Sequence, residues 1–282
     1  MKFIRQYKID ILTPSGQTIT IKPPFSAKIY INRNTLASAN KGKVTLYNLA
    51  PTTRNAIFKD KYSITEYWQI KIQAGYEKLT TIFQGNLYES ISYKQGTEWI
   101  TQIDAFDGMS AIQNGYTSQS VAADTPKQNI IQSIIGDMPN IIAGSIGGNT
   151  EETTERGQVL MGQSSELLAD QTDGKYFIDG EVVNVLTDDE VIQGSVILLD
   201  EEQLFATPKI RDTFLDCDIL FLPEAQPGLI CEVRSKESRF NGQYKIMGFS
   251  HDITIFSSQA GKAKTTISLY KGAQGLREVS NV

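Results

Sequence analysis

The chain has 282 residues, 40% hydrophobic and 21% charged, enough for two or three domains with sizeable cores. A formal net charge of −5 and the lack of any basic cluster (Lys59-Asp60-Lys61 is broken by its own acid) exclude a general grip on nucleic acid, which needs basic patches to release counterions. Two cysteines cannot build a disulfide framework, MKFIRQYKID has no apolar signal core, and no run approaches the ~20 apolar residues of a membrane span; a soluble protein made in a reducing cytoplasm is expected.

Phe3, Tyr7, Ile9 and Ile11 alternate with Gln6, Lys8 and Asp10, then Pro14-Ser15-Gly16 turns the chain back through Gln17 to Ile21, which predicts a hairpin. Pro23-Pro24 blocks ladder pairing, and Phe25, Ala27, Ile29 and Ile31 begin the next strand. Asn32 to Gly42 is polar and turn-rich and reads as a loop, followed by Val44 and Leu46 alternating with Lys43 and Thr45. Pro51 suits the first turn of a short helix, after which Ala56, Ile57 and Phe58 offer an apolar patch. Three further alternating stretches follow. Trp68, Ile70, Ile72 and Ala74 form one set, and Trp99, Thr101, Ile103 and Ala105 another. Between them Leu87, Ile91 and Tyr93 share a parity, with Glu89 as the exception. Residues 1–108 therefore read as a small β-barrel with one helix as its lid.

The composition changes after Gly108. Met109 to Asp124 is small and polar; Thr125 as N-cap and Pro126 at the first helical position open a helix with an Ile130, Ile131, Ile134, Ile135 stripe. Ala143 to Gly157 reads as an exposed, mobile loop, and Ser164 or Ser165 caps a second helix over Glu166 to Gln171. Asp173-Gly174 and Asp179-Gly180 are turn signals around two short strands, so residues 109–204 form an α+β middle domain. Strands return over 205–282: Leu215, Cys217, Ile219 and Phe221, then Leu229 to Arg234, Tyr244 to Ile246, Phe249 to Ile255, and Ala263 to Leu269. This last segment echoes the first. QGNLYESISYKQGTEWITQIDA from Gln84 and MGFSHDITIFSSQAGKAKTTISL from Met247 each run glycine, strand, polar turn, and a strand carrying T-x-I. The expected fold class is mainly β, two small barrels at 1–108 and 205–282 flanking the α+β middle.

The order of LYNLAPTTRNAI, IQAGYE, IFQGNLYESI and AFDG in the first ~108 residues resembles the first domain of phage baseplate hub proteins. That family includes relatives of the late control protein D, the T-even hub and the VgrG spike base of type VI secretion. The resemblance implies two tube-like barrels in one chain, standing between a tail tube of six-barrel rings and a threefold spike. It implies a homotrimer that contacts the tail tube protein, the central spike protein, baseplate wedge proteins and the tape measure protein. DNA would pass without specific binding, and the protein would sit in the virion tail baseplate after assembly in the host cytoplasm. The candidate channel-lining residues are those on the wet parity after Gly85 and Gly248: Tyr88, Ser90, Ser92, Ser250, Asp252 and Thr254.

Signals of chemistry are absent from the sequence. The single histidine, His251, lies on an apolar parity and reads as a packed side chain; one histidine and two separated cysteines make no ordinary zinc set. Phosphate-cradling, dinucleotide, nucleophile-elbow and EF-hand motifs are missing, so no catalytic, metal or cofactor residue is assigned. Cys217 and Cys231 read as small buried hydrophobes, and the acidic runs 188–190 and 200–202 as solvated faces. Two other readings compete: a short tail-tip protein of a non-contractile tail, and a β-rich carbohydrate-active enzyme, for which Trp68 and Trp99 would have to line a cleft although both read as core.

Overall fold

The computed structural model describes residues 5–63, 66–148, 151–256, 261–272 and 275–281. Phe3, the Asn149-Thr150 step of the expected loop and the turn at 257–260 lie outside them.

The first segment contributes β1 (Gln6–Leu12), β2 (Thr18–Ile21), β3 (Ala27–Asn34), β4 (Lys41–Tyr47), helix α1 (Pro51–Ala56), β5 (Trp68–Gly75), β6 (Thr80–Gln95) and β7 (Glu98–Phe106). The period-two alternation is realised as predicted: Ile9, Ile29, Ile31, Val44, Leu46, Ile70, Ile72 and Ile103 fill one core. Each such side chain contributes about 1.5–3 kcal/mol relative to exposure. At the end of α1, Ile57 is buried in that core while Phe58 is exposed.

The middle segment holds α2 (Met109–Asn114), β8 (Tyr116–Val121), α3 (Lys127–Gly136), β9 (Ile142–Ile146), β10 (Gln158–Gln163), α4 (Ser164–Thr172), β11 (Tyr176–Ile178), β12 (Val182–Val185) and β13 (Glu190–Ile192). The isoleucine stripe of α3 packs into a separate core with Leu160, Leu168, Tyr176 and Val183. Three local expectations are corrected. Pro126, not Thr125, occupies the N-cap of α3, and the Thr125 hydroxyl donates instead to Ala122 O at 2.8 Å. Residues 109–124 hold a helix and a strand, because β8 finds a partner 37 or more residues away in β10. The start of the expected mobile loop is β9, a partly buried strand parallel to β12.

The last segment adds β14 (Ile197–Asp200), β15 (Lys209–Arg211), β16 (Phe214–Leu220), β17 (Ile230–Arg234), β18 (Gly242–Ile255), β19 (Ala263–Tyr270) and β20 (Arg277–Val279). Thirteen strands join one sheet in the order β15-β16-β19-β18-β3-β4-β7-β6-β5-β1-β2, with β17 on β18 and β14 on β17. The link is an eight-pair antiparallel ladder from Gly248–Asn34 to Ile255–Ala27. Phe221, Ile253 and Ala263 accordingly enter the first core. Two ladders are parallel: β14, which precedes the expected boundary at 205, runs beside β17, and β20 runs beside β13 of the middle segment. Among the described residues no ladder closes either half into a barrel.

The two halves repeat one strand order. β3-β4-β7-β6-β5-β1 is matched by β15-β16-β19-β18-β17-β14, with only the β14–β17 contact differing in direction. Both long hairpins carry a bulge at the same place, between Leu87 and Glu89 opposite Ala105-Asp104, and between Ile246 and Gly248 opposite Leu269-Ser268. Superimposing the bulges equates Thr101 with Thr265 and Ile103 with Ile267, the two T-x-I steps. It equates Gly248 with Glu89, however, not with Gly85. The glycines serve different needs: a Cβ on Gly85 would meet Phe106 O at 2.6 Å, and one on Gly248 would press on Arg33 O of β3 at 3.0 Å. The first bulge also explains the Glu89 exception, since one extra residue flips every later side chain to the other face.

Candidate functional site

The linked sheet has a polar face that can be followed residue by residue across the join. Asp216 and Asp218 on β16 stand beside Ser268 and Thr266 on β19. Thr266 and Lys264 lead to Ser250 and Asp252 on β18, then to Asn32 and Tyr30 on β3, Lys41 and Lys43 on β4, and Phe106 and Asp104 on β7. The charges are interleaved. Lys264 reaches Asp218 at 2.7 Å, Arg211 reaches Asp216 at 2.9 Å, Lys41 lies 3.8 Å from Asp104, and Lys262 pairs with Asp252. Burial, the largest single influence, raises the Asp218 carboxyl, but Lys264 and Thr266 together hold it below its usual range. The face is polar without being basic.

Three of the candidate channel residues, Ser250, Asp252 and Thr254, lie on this face. Tyr88 stands at its margin, with its ring edge-on to Phe106 at 5.4 Å. Ser90 and Ser92 do not belong to it. The bulge sets them opposite Ile103 and Thr101, and Ser90, 1% exposed, is the β6 residue to which Lys59 makes its short backbone bridge.

Ser92 and His251 are equivalent positions in the repeat. Ser92 Oγ lies 2.8 Å from Thr101 Oγ1, and His251 Nδ1 lies 2.8 Å from Thr265 Oγ1. His251 is thus the packed histidine expected, wedged between Phe221 and Phe249, and burial then Arg33 push its pKa down to about 3. Thr265 also accepts from Leu222 N at 3.0 Å. Thr265→Val should therefore cost about 1–3 kcal/mol in denaturant unfolding, and more than Thr101→Val, because it strands two buried partners.

A second polar cluster fixes the middle segment to the sheet. Two Asp-Gly steps meet there. Asp107 accepts from Gly180 N at 2.6 Å and Glu181 N at 3.0 Å, at the tip of the β11–β12 hairpin. Gly108 has φ +68°, and a Cβ on it would lie 2.8 Å from Ile178 Cδ1. Asp179 takes both ends of the Arg33 guanidinium, at 2.6 and 2.5 Å, and Asn40 donates to Ile178 O at 2.8 Å. Burial, with Asp179 nearby, pushes the Asp107 carboxyl up to about 7. The sequence marked Asp179-Gly180 as a turn and the neighbourhood of Gly108 as the end of the first segment; nothing in it paired the two or brought in Arg33.

The acidic run 188–190 is likewise not all solvated. Glu190 is buried and accepts from Gly148 N and Thr187 N while pairing with Arg277. Burial resists its charge, but these donors hold it below the usual carboxylate range. Lys245, whose pKa burial lowers to about 8, donates to Thr187 O at 2.7 Å and stitches this turn to β18.

Among the described residues no group of three or more His, Cys, Asp or Glu could hold a metal ion. Cys217 and Cys231 are buried free thiols, with their pKa values raised chiefly by burial. A cavity of about 540 Å³ beside α3 is lined by Lys127, Ile131, Gln171, Lys175 and Arg277 among others, without an aromatic wall. Trp99, expected in the core, is partly exposed and covered by the Arg54 guanidinium at 3.7 Å; Trp68 packs against the first core.

This fold is that of tail and baseplate proteins. The chain is similar to the 43 kDa tail protein of prophage MuSo2 from Shewanella oneidensis, at 10% identity and TM-score 0.61, over 93% of this chain and 98% of that one. It is similar to a tail protein from Neisseria meningitidis MC58, at 9% identity and TM-score 0.55, over 94% and 96% of the two chains. It also resembles the E. coli c3393 protein, a component of the type VI secretion system described as similar in structure to T4 tail proteins gp27 and gp5. That match has 8% identity and TM-score 0.58 over 95% of this chain and 78% of that one. No curated protein matches in sequence. The model of the family described as baseplate hub gp41 matches residues 8–259, and the chain belongs to that family. It is a structural protein of the phage tail and resides in the virion baseplate.

Proposed function

We propose that the protein is the hub that adapts a sixfold tail tube to a threefold central spike. The observation that carries this reading is the repeated strand order in one chain, joined through the β3–β18 ladder. Three copies of a chain with two equivalent units present six similar faces upward and a threefold surface downward. In the ring each unit completes a tube-like barrel with its neighbours, which also covers strand edges that a single chain leaves open. The interleaved polar face lines the conduit. Rows of unpaired Lys or Arg would hold phosphates, whereas Asp218, Asp104 and Asp252 answer the lysines here, so DNA passes without specific binding. The middle segment, fixed by Arg33 and Asp107, braces the ring toward the spike and wedge proteins, while the upper face meets the tail tube and tape measure proteins.

The protein is a non-catalytic component, in keeping with a histidine spent on Thr265 and thiols raised far from reactivity. Native mass measurement on extracted baseplates tests the hub reading. Three copies per tail are expected; six copies, or a stable twofold dimer in the particle, would overturn it.

A further inference from the structure

The repeat identifies which strand edges meet between copies. Within the chain, the leading edge of the first unit, β3, pairs with the outer edge of β18 beyond its bulge, His251 opposite Ile31 and Asp252 opposite Tyr30. The equivalent edges of the other pair are open. β15 is bonded only to β16, and β6 beyond Ser90 only to β7, among the described residues. The bulge alignment equates Ser92 with His251 and Tyr93 with Asp252. Following the ladders outward equates Ile210 with Ile31 and Lys209 with Tyr30.

We propose that β15 of one copy adds to β6 of the next copy, antiparallel, with Ser92 opposite Ile210 and Tyr93 opposite Lys209. The proposal rests on the hub reading and assigns its intersubunit surface. The contact is head-to-tail, the kind that closes a ring when the rotation per copy divides the circle, and the hub reading requires closure after six units in three copies. The side chains suit it. Ile210 is 69% exposed in the protomer, while its counterpart Ile31 is 0% exposed. In the joined sheet Ile210 goes under the sheet as Ile31 does, and apolar surface left bare by the protomer is covered. On the polar side Arg211 of β15 comes diagonal to Glu89 of the next copy, an opposite-charge neighbour of the kind that favours strand pairing. The Lys59 bridge at Ser90 sets where the ladder begins. Pro208, which has no N–H to give, sets where it ends.

Particles carrying Tyr93→Cys and Lys209→Cys in the same chain test this. Directly opposed residues have Cβ atoms about 4.5–5.5 Å apart, within reach of a short bis-maleimide, and both native cysteines are buried. Covalent trimers that extend no further are expected, and no linkage from either single variant. Three copies per particle without linkage would overturn the edge assignment and leave the hub standing. A different copy number would overturn both. Ile210→Asp, at an exposed site, provides the second measurement. The purified chain should unfold at the wild-type midpoint while incorporation into baseplates falls at least about tenfold. Unchanged incorporation would overturn the assignment.

Discussion

Replacing Arg33 with alanine is expected to destabilise the protein by about 3–5 kcal/mol, more than the loss expected for Thr265→Val. The side chain is almost buried, and it alone of the described cations is bonded to Asp179, whose carboxylate is 1% exposed. Truncation leaves that carboxylate in a low-dielectric seam beside Asp107, a second acid. The guanidinium also donates to Ile82 O at 3.2 Å and lies 5.2 Å from the Phe249 ring, so packing is lost along with charge. Arg33→Ala combined with Asp179→Ala should recover a large part of the loss, because the stranded charge goes with its partner. Denaturant unfolding of the four-member cycle measures this. Hydrogen exchange should locate the damage at the tip of the β11–β12 hairpin. If the single and double variants were equally unstable, the seam would not depend on the ion pair.

Stability across acid pH should be nearly flat in the wild type from these two groups and steep in either variant. His251 stays neutral in the fold down to about pH 3, against about 6.5 in an unfolded chain. Its contribution is complete above ~6.5 and is lost as pH falls through 3. Asp107 behaves oppositely: its folded value is about 7, against about 3.9 unfolded. Its contribution is complete below ~3.9 and is lost as pH rises through 7. Between roughly pH 4 and 6.5 the unfolded chain holds the extra proton on histidine and the folded chain on aspartate, and the two slopes cancel. Asp107→Asn removes one slope, so relative to wild type the variant should weaken by about 1.4 kcal/mol per pH unit on acidification. His251→Gln removes the other and should strengthen on acidification by a similar amount, while particles carrying it stay infective, as a non-catalytic role requires. Chemical denaturation at pH 4, 5, 6 and 7 decides this, and parallel curves for all three proteins would refute the assignment of either group.

The sequence by itself determined whatever depends on near neighbours. Alternation at Ile9-Ile11, Val44-Leu46, Ile70-Ile72 and Ile267-Leu269 set strands and buried faces, because a period of two leaves no freedom about which side is wet. The repeated T-x-I steps were visible in the sequence, and the bulge registers of the two hairpins make them equivalent. Asp173-Gly174 and Asp179-Gly180 were legible as turns, and the order of LYNLAPTTRNAI, IFQGNLYESI and AFDG pointed to the hub family that the match over residues 8–259 establishes. Only the tertiary structure decided what depends on partners far along the chain. The β3–β18 ladder joins residues more than two hundred positions apart, and no local pattern announces it. A bulge adds one residue without changing composition, so the face of Ser90 and Ser92 was reversed from its sequence assignment. Glu190 and Asp107 look like ordinary surface acids until the backbone amides that receive them are brought up from other elements. A buried charge is chosen by the donors folding delivers to it, and those donors are main-chain groups that every residue except proline carries.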